Sequence, residues 1–321
     1  MPARRKDAKS KGTPATRPAK SVAARERLTP AEHFYRTVGI STHFLPASHG
    51  ESLYDAIDLI ARAGFGGFEL VPADFQGVIG SPTTIRNVGL WPRTFGKRDR
   101  ACLREALARF GSVTIHAPHL GVNIASINPG WREESRRQYF ECLELALDLS
   151  VTTVTFHHGG QTHGFIAPDE EITDHCIAFA REATAFAAKH GLTLGYEVGS
   201  FRIIDASIRA CGSKRFGVNL DMGHAVMGGL APEEWVKRLP SKTVEVHVNS
   251  VTKDWSGFIE HQPLDRNNVI NYRALFSALL ADGFRGPYIF ELRGLDIPDT
   301  IDICLRARDT LTELIDSLAP R

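Results

Sequence analysis

The sequence has few of the residues that mark secreted, membrane-spanning or thiolate-metal proteins. Its five cysteines are odd in number, lie far apart and form no CxxC pair. This pattern argues against both a disulfide framework and a cysteine-rich metal site. No apolar run reaches the roughly 18 residues that a membrane span needs, and the first residues carry no apolar h-region of a secretory signal. These absences together predict a soluble, cytoplasmic protein with reduced thiols.

The charge of the chain is divided unevenly. Residues 1–27 contain nine basic and two acidic side chains, whereas the remaining 294 residues contain 29 basic and 35 acidic ones. A basic segment rich in Pro, Ala, Ser and Lys, with almost no large apolar residue, is typical of disorder. We therefore expect a disordered basic tail over residues 1–30 and one folded domain over residues 31–321. Weak nucleic-acid contact, an organelle transit peptide and a solubilising tail without a partner are all compatible with this tail.

From residue 37 onward, short apolar strands alternate with amphipathic helices. The predicted strands are 37–41, 67–71, 112–117, 152–157, 192–197, 216–221, 243–248 and 288–292. The predicted helices are 52–63, 97–110, 132–149, 170–190, 203–210, 232–239, 272–281 and 298–317. Eight strands, each followed by a helix, over roughly 280 residues predict an α/β fold, a (β/α)8 TIM barrel. A doubly wound open sheet competes with it, but no glycine-rich phosphate-binding turn follows the first strand.

Acidic and histidine side chains stand at the C-terminal ends of six predicted strands, where the active site of such a barrel lies. These side chains are His116, His157, Glu197, Asp221, His247 and Glu291. In TVEVHV, residues 243–248, the three valines share one face, so Glu245 and His247 should face the barrel axis. The same alternation turns Thr155 and His157 inward and leaves His158 outside or in the loop.

The segment FGVNLDMGHA, residues 216–225, joins a strand that ends on Asp221 to His224 on the following turn. Two interpretations fit it: a metal-binding corner, or an N-cap aspartate followed by a solvated histidine. Four acids or imidazoles on consecutive strands favour the metal, because uncompensated buried charges would repel one another and shift their pKa values. Three carboxylates and one imidazole suit Mn²⁺, Mg²⁺, Co²⁺ or Zn²⁺.

Several segments resemble the xylose isomerase-like barrel superfamily, which includes sugar and sugar-phosphate isomerases and epimerases and the endonuclease IV type of apurinic-site nuclease. HAPHLGVNIASINP (116–129) and FHHGG (156–160) resemble the HAPY…NLASP and FHPG segments of the nuclease branch. LDMGHA (220–225) resembles a strand-six motif that both branches share. HVNS (247–250) resembles HLND, with serine where an acid is usual, and Glu291 stands where both branches have a strand-eight glutamate.

The resemblance implies one principal metal site and room for a second metal. The principal ligands would be Glu197, Asp221, His247 and Glu291. Additional metals would be held by His116 and His157 with the shared Glu197, and by His224, His261 and, as a weaker match, Glu260. The nuclease branch has Asp-x-His at this last position, whereas this chain reads Ile259-Glu260-His261, so the acid is displaced by one residue.

The resemblance also implies two activities. The first is a metal-dependent isomerase or epimerase that acts on a sugar, a sugar phosphate or a cyclitol through an enediolate. In it, Glu197 and Glu291 would transfer protons, and His224 would orient or polarise a substrate oxygen. The second is an endonuclease IV-like phosphodiesterase at abasic DNA sites. The acidic balance after residue 27 opposes it, because duplex DNA requires a basic face. A dehydratase (lyase) would use the same groups, and a barrel that only binds its ligand is a further class.

Two long loops, 72–92 and 249–268, are expected to cover the site, and loops of this kind often act as lids. They supply Arg86, Trp91 and Trp255 as predicted substrate contacts. Glu69, at the end of the second strand, is a further predicted contact, with a solvated strand-end glutamate as the alternative. The predicted partner is a small-molecule carbohydrate. No membrane partner is expected, and nucleic acid, reached through the basic tail, is the less favoured partner.

Overall fold

Eight parallel strands close into a barrel in the computed structural model, which confirms the predicted (β/α)8 architecture. Residues 28–45, 53–72, 92–119, 121–159, 169–255, 257–264 and 269–318 are described. The barrel strands are β1 (Gly39–Ser41), β2 (Gly67–Leu70), β3 (Ser112–His116), β4 (Thr153–Phe156), β5 (Thr193–Glu197), β6 (Phe216–Asp221), β7 (Thr243–Val248) and β10 (Tyr288–Phe290). Their order around the barrel is β1-β10-β7-β6-β5-β4-β3-β2.

Helices surround the barrel in the order that the sequence predicts, with two additions. They are α1 (Pro30–Thr37), α2 (Leu53–Arg62), α3 (Lys97–Leu107), α4 (Pro129–Leu149), α5 (Asp169–His190), α6 (Phe201–Cys211), α7 (Met222–Met227), α8 (Pro232–Arg238), α9 (Tyr272–Ala281) and α10 (Ile297–Leu318). The additions are α1 and the short α7. Among the described residues, no helix is both long enough and apolar enough to cross a bilayer.

Helix α1 precedes the first strand and corrects the predicted start of that strand. Thr37, predicted as the first strand residue, is the last residue of α1 instead. Thr29 accepts a hydrogen bond from the Glu32 backbone N–H at 3.2 Å, and Glu32 accepts one from the Thr29 N–H at 2.8 Å, which forms a capping box. Phe34 of this helix is fully buried, with its ring centroid 5.0 Å from that of Tyr288. Helix α1 begins at Pro30, the last residue of the predicted tail. Residues 1–27, which make up most of that tail, lie outside the described residues.

The second difference lies between β7 and α9, where the sequence predicts a loop over residues 249–268. An antiparallel hairpin occupies much of it, formed by β8 (Ser250–Asp254) and β9 (Gly257–Gln262). Gly257 has a φ of 126°, a conformation that favours glycine, and pairs with Asp254 at the turn. The hairpin begins three residues after His247 and thus stands at the C-terminal end of the barrel. Most of the other predicted loop, 72–92, lies outside the described residues.

The alternation of side chains along the strands places apolar residues outside the barrel and polar residues inside it. Phe156 and Tyr196, on β4 and β5, stack with centroids 4.8 Å apart in the layer between strands and helices. Inside the barrel, the Thr155 hydroxyl donates a hydrogen bond of 2.5 Å to Glu245 Oε2. This contact joins β4 to β7, which are not adjacent, so both side chains face the axis as predicted.

Candidate metal centre

Four candidate ligands meet at the C-terminal end of the barrel, on neighbouring strands. Glu197, Asp221 and His247 lie at or near the ends of β5, β6 and β7, and Glu291 directly follows β10. None of the four exposes more than 4% of its surface. One ligand atom from each lies within 4.8 Å of those of the other three. The structure thus brings the predicted principal set together.

The imidazole of His247 faces the three carboxylates at distances that fit a shared cation. Its Nδ1 lies 3.5 Å from Glu197 Oε1, 3.9 Å from Asp221 Oδ2 and 3.4 Å from Glu291 Oε2. Within the described part of the chain, this buried nitrogen has no hydrogen-bond partner. Ligand atoms bound to one tetrahedral cation at about 2.1 Å lie about 3.4 Å apart. The separations and the buried nitrogen therefore fit a divalent metal.

Asp221 is fixed by hydrogen bonds to both of its oxygens. Its Oδ1 accepts from the backbone N–H of His224 at 2.6 Å, which makes Asp221 the N-cap of α7. Its Oδ2 accepts from Asn249 Nδ2, also at 2.6 Å. Asn249 is fully buried and was not among the predicted site residues. Its only signal in the sequence was its place in HVNS, two residues after His247.

Glu69 contacts the opposite side of His247. Its Oε2 lies 3.2 Å from His247 Nε2, and Asn219 Nδ2 lies 2.7 Å from the same nitrogen. Glu69 has no exposed surface. It thus stands behind the candidate metal centre, inside the barrel, whereas the sequence analysis predicted a substrate contact.

A second group of candidate ligands shares Glu197 on the β3 and β4 side. Glu197 Oε2 lies 2.8 Å from His116 Nε2 and 2.9 Å from His157 Nε2, and these two nitrogens are 3.2 Å apart. His116 Nδ1 donates to the carbonyl of Ala117 at 2.7 Å, so in the neutral imidazole the lone pair is on Nε2. His119 extends this group, because one nitrogen from each of the three histidines lies within 4.8 Å of the others. His119 was missed, although it follows His116 by three residues in HAPH.

A proton or a cation can hold this second group together. The lone pairs of His116 Nε2 and Glu197 Oε2 face each other at 2.8 Å, so a proton or a cation must lie between these two atoms. Burial lowers the pKa of His116, but the hydrogen bond and the charge of Glu197 outweigh burial and raise this pKa to about 9. The metal-free site therefore favours a proton where a second cation would bind.

A third group surrounds Glu260 on the hairpin. Glu260 Oε2 lies 3.4 Å from His224 Nε2 and 3.8 Å from His261 Nε2. Neighbouring residues of a regular strand point to opposite faces, but His261 has a φ of 57°, in the left-handed region. This conformation interrupts the alternation and lets both side chains face the centre. The displaced acid of the sequence motif therefore still reaches both histidines.

Burial opposes charge throughout the centre, and neighbouring groups decide the direction of each pKa shift. Burial lowers the pKa of His247, but the carboxylates of Glu291, Glu69 and Glu197 outweigh it and raise this pKa well above its ordinary value. Burial raises the pKa of Glu197, but the surrounding imidazoles outweigh it and hold this pKa well below its ordinary value. For Asp221 burial prevails, and its pKa is raised. The centre is thus an acidic pocket that favours positive charge.

These groups open into a cavity of about 510 Å³ at the barrel mouth. Seven histidines, three glutamates and Arg293 line it. A concave site of this size suits a small molecule. Of the predicted substrate contacts, Arg86 and Trp91 lie outside the described residues. Trp255 stands at the hairpin turn with 97% of its surface exposed.

Comparison with known proteins places this barrel in a family. The sequence matches the xylose isomerase-like TIM barrel family over residues 57–314. The chain belongs to this family. It is 25% identical over 284 residues to an uncharacterised protein of Methanocaldococcus jannaschii, a match that covers 85% of this chain and 87% of the relative. The resemblance stated from the sequence motifs is therefore confirmed.

Solved structures share the fold of the whole barrel. A D-tagatose 3-epimerase-like protein aligns with a TM-score of 0.68 and 22% identity, over 88% of this chain and 100% of that one. The IolI protein, described with a bound zinc atom, aligns with a TM-score of 0.69 and 17% identity, over 89% and 100%. An L-ribulose 3-epimerase aligns with a TM-score of 0.66 and 18% identity, over 88% and 95%. At these identities the likeness shows the fold alone.

Proposed function

We propose that this protein is a metal-dependent isomerase or epimerase whose substrate is a sugar, a sugar phosphate or a related keto-polyol. The observation that carries the proposal is the placement of two carboxylates beside one imidazole nitrogen. Glu197 Oε1 and Glu291 Oε2 lie 3.5 and 3.4 Å from His247 Nδ1, and both glutamates line the cavity. Two carboxylates that face one cavity can remove a carbon-bound proton and return it. The likeness to sugar epimerase structures supports this class of substrate.

The ligand set supports Mn²⁺, Mg²⁺, Co²⁺ or Zn²⁺, held by Glu197, Asp221, His247 and Glu291. A divalent cation at this position would polarise a substrate carbonyl and its neighbouring hydroxyl, which makes the carbon-bound hydrogen more acidic. The zinc described in the IolI structure supports a metal-dependent enzyme. His116 and His157 would hold a second metal through the shared Glu197.

The remaining steps are carried by side chains of the cavity. Glu197 or Glu291 removes the proton from the carbon next to the carbonyl and leaves an enediolate. Delivery of a proton by the other glutamate, in its carboxylic acid form, to the opposite face of that carbon inverts its configuration. Return to the former carbonyl carbon, with the proton of the neighbouring hydroxyl passing to the former carbonyl oxygen, moves the carbonyl instead, which is isomerisation. His224, whose Nδ1 lies 3.1 Å from Glu197 Oε1, would orient a substrate oxygen during these transfers.

Deuterium exchange tests the proposal directly. The metal-loaded protein is incubated in deuterated water with D-tagatose, L-ribulose, D-psicose and D-fructose and with their phosphate esters. We expect carbon-bound deuterium in one of these ketoses and in its product, detected by NMR and mass spectrometry. Glu197→Gln and Glu291→Gln should abolish the exchange, whereas Glu133→Gln, an exposed glutamate on α4, should retain it. A metal-loaded protein that exchanges none of these substrates would count against the proposal.

A second candidate is a metal-dependent phosphodiesterase at abasic DNA sites. The observation that favours it is the presence of two additional groups of candidate ligands. His116 and His157 contact Glu197, and His224 and His261 contact Glu260. Two close metals can activate water and stabilise a leaving oxygen. The excess of acidic residues after residue 27 opposes DNA binding. Metal-dependent nicking of a duplex with one abasic site would place this candidate first.

A dehydratase would use the same carboxylates, with water leaving the enediolate. The mass of the product separates this reaction from isomerisation, which leaves the mass unchanged apart from deuterium.

The proposal includes a small-molecule carbohydrate substrate and a cytoplasmic enzyme. Five cysteines that are all free thiols support a reducing compartment.

A further inference from the structure

We propose that Glu69 is a positioning residue that holds His247 in the tautomer able to bind a metal. This inference rests on the metal site of the proposed function. Glu69 receives a structural role that differs from the substrate contact expected from the sequence. It would act through His247 rather than on the substrate.

The contact between the two residues crosses the interior of the barrel. Glu69 is on β2 and His247 on β7, and β1 and β10 lie between these strands on the shorter way round. Neither side chain has any exposed surface, and Glu69 Oε2 lies 3.2 Å from His247 Nε2. The Thr114 hydroxyl donates to the same Oε2 at 3.4 Å. A glutamate is thus held against an imidazole where water has no access.

Strand β2 directs Glu69 inward. Phe68, the preceding residue, points to the helix layer and stacks on Phe110 with ring centroids 5.1 Å apart. Because neighbouring strand residues face opposite sides, Glu69 faces the barrel axis. Its position is therefore set by the core packing of Phe68 and not by solvent or substrate.

Hydrogen-bond chemistry then fixes the tautomer of His247. An ionised carboxylate only accepts hydrogen bonds, so the contact places a proton on His247 Nε2. The neutral imidazole then presents its lone pair at Nδ1. This is the nitrogen that faces Glu197, Asp221 and Glu291 and has no hydrogen-bond partner among the described residues. A carboxylate behind a metal-bound histidine has this effect in many metal sites.

The second neighbour of His247 Nε2, Asn219, does not fix the tautomer by itself. Asn219 Nδ2 lies 2.7 Å from this nitrogen and donates to Thr155 Oγ1 at 3.0 Å, whereas Asn219 Oδ1 is buried and has no hydrogen-bond partner among the described residues. Rotation of the amide by about 180° would exchange its NH₂ group and its oxygen. With the oxygen toward the ring it accepts the Nε2 proton, and with the NH₂ group toward the ring it forces the proton onto Nδ1, which blocks the ligand atom. Glu69 supports only the first arrangement. Glu69 would therefore favour the rotated amide, with Asn219 Oδ1 toward the ring, together with the imidazole whose lone pair is at Nδ1.

Metal affinity and the environment of the Nε2 proton test this role. Co²⁺ affinity is measured by competition with a chelator for the wild type, Glu69→Ala, Glu69→Gln and Ser207→Ala. We expect Glu69→Ala to weaken binding by about 10- to 100-fold, the usual effect of removing such a partner. Glu69→Gln should weaken it less, because its amide oxygen can still accept. Ser207→Ala, at a fully buried polar position on helix α6, should change affinity less than about 3-fold.

NMR of the Co²⁺-loaded protein separates positioning from a merely structural effect. The wild type should show a shifted, solvent-exchangeable Nε2 proton of the ligated histidine that exchanges slowly. In Glu69→Ala, loaded to saturation, this proton should exchange faster or disappear, and thermal unfolding shows whether the variant is folded. Wild-type affinity and an unchanged proton in both Glu69 variants would overturn the inference alone. A wild-type protein that binds no Co²⁺ would remove the metal site and this inference together.

Discussion

The Oδ1 atom of Asp221 accepts a hydrogen bond of 2.6 Å from the backbone N–H of His224. Asp221 is thus both the last residue of β6 and the N-cap of α7. The sequence offered a helix cap and a metal-binding corner as alternatives for this segment. One carboxylate serves the first role with Oδ1 and faces His247 Nδ1 with Oδ2, 3.9 Å away. The helix cap is thus observed at Oδ1, and metal binding stays a prediction for Oδ2.

Two substitutions of Asp221 separate these roles. Asn is as good an N-cap as Asp, whereas Ala costs about 0.5–2 kcal/mol. In chelator-treated protein we expect Asp221→Ala to be less stable than Asp221→Asn by about this amount, measured by urea unfolding. Both variants should bind metal more than about 100-fold more weakly than the wild type. Loss of a residue that only hydrogen-bonds a ligand already lowers metal affinity by about 10- to 100-fold, and Asp221 is a proposed ligand itself. Equal stability of the two variants would contradict the capping role.

Asn249 should matter for metal binding although it is not a ligand. Its Nδ2 holds Asp221 Oδ2 at 2.6 Å, and loss of such a partner typically weakens binding by about 10- to 100-fold. We expect this loss in Asn249→Ala and a larger one in Asn249→Asp, which sets two carboxylates against each other. Competition titration with a chelator measures both. Ser250→Ala is the control, because Ser250 is equally buried but its hydroxyl has no hydrogen-bond partner among the described residues. An equally large loss of metal affinity in this control would refute the specific role of Asn249.

Metal stoichiometry tests the second group of ligands. His116 Nε2 and His157 Nε2 lie 2.8 and 2.9 Å from Glu197 Oε2, so we expect protein dialysed against Zn²⁺ to hold more than one zinc per chain. His157→Ala should lose one of them while the site at His247 stays filled. Elemental analysis gives the count. His158→Ala is the matched control, since its ring packs beside Tyr196, with centroids 5.8 Å apart. An unchanged zinc count in His157→Ala would exclude this second site.

Local rules predict which way the strand side chains face, and this part of the site followed from sequence. Alternation in residues 243–248 places Glu245 and His247 inside the barrel, where the Thr155–Glu245 hydrogen bond confirms it. The contacts of Glu69 and Asn249 were missed because they depend on which side chains meet when the barrel closes. A pattern of period two gives the face of a residue but not its partner across the axis.

Two other features of the structure differ from the sequence prediction, and only one of them has a recognisable signal in the sequence. Helix α1 had a readable signal, because Thr29 and Glu32 are spaced as a capping box. The inward orientation of both Glu260 and His261 had none, since it depends on a left-handed φ of 57° at a histidine. Non-glycine residues adopt this conformation rarely, and only the surrounding structure determines where. Sites built on such residues cannot be derived from alternation.

The last prediction concerns helix α1 and the stability of the barrel. Phe34 is fully buried and packs edge-on against the rings of Tyr288, Phe276 and Phe290, with centroids 5.0, 5.9 and 6.4 Å away. Phe34→Ala leaves a cavity among these rings and should lower the free energy of unfolding by about 3–5 kcal/mol.

Urea unfolding measures this change. Arg36→Ala, at an exposed position of the same helix, serves as the control and should stay within about 0.5 kcal/mol of the wild type. A loss below about 1 kcal/mol in Phe34→Ala would mean that α1 is not part of the folded core. A loss of about 3–5 kcal/mol in the free energy of unfolding would mean that the folded unit begins before the first barrel strand. Removing α1 together with the basic tail should then unfold the domain.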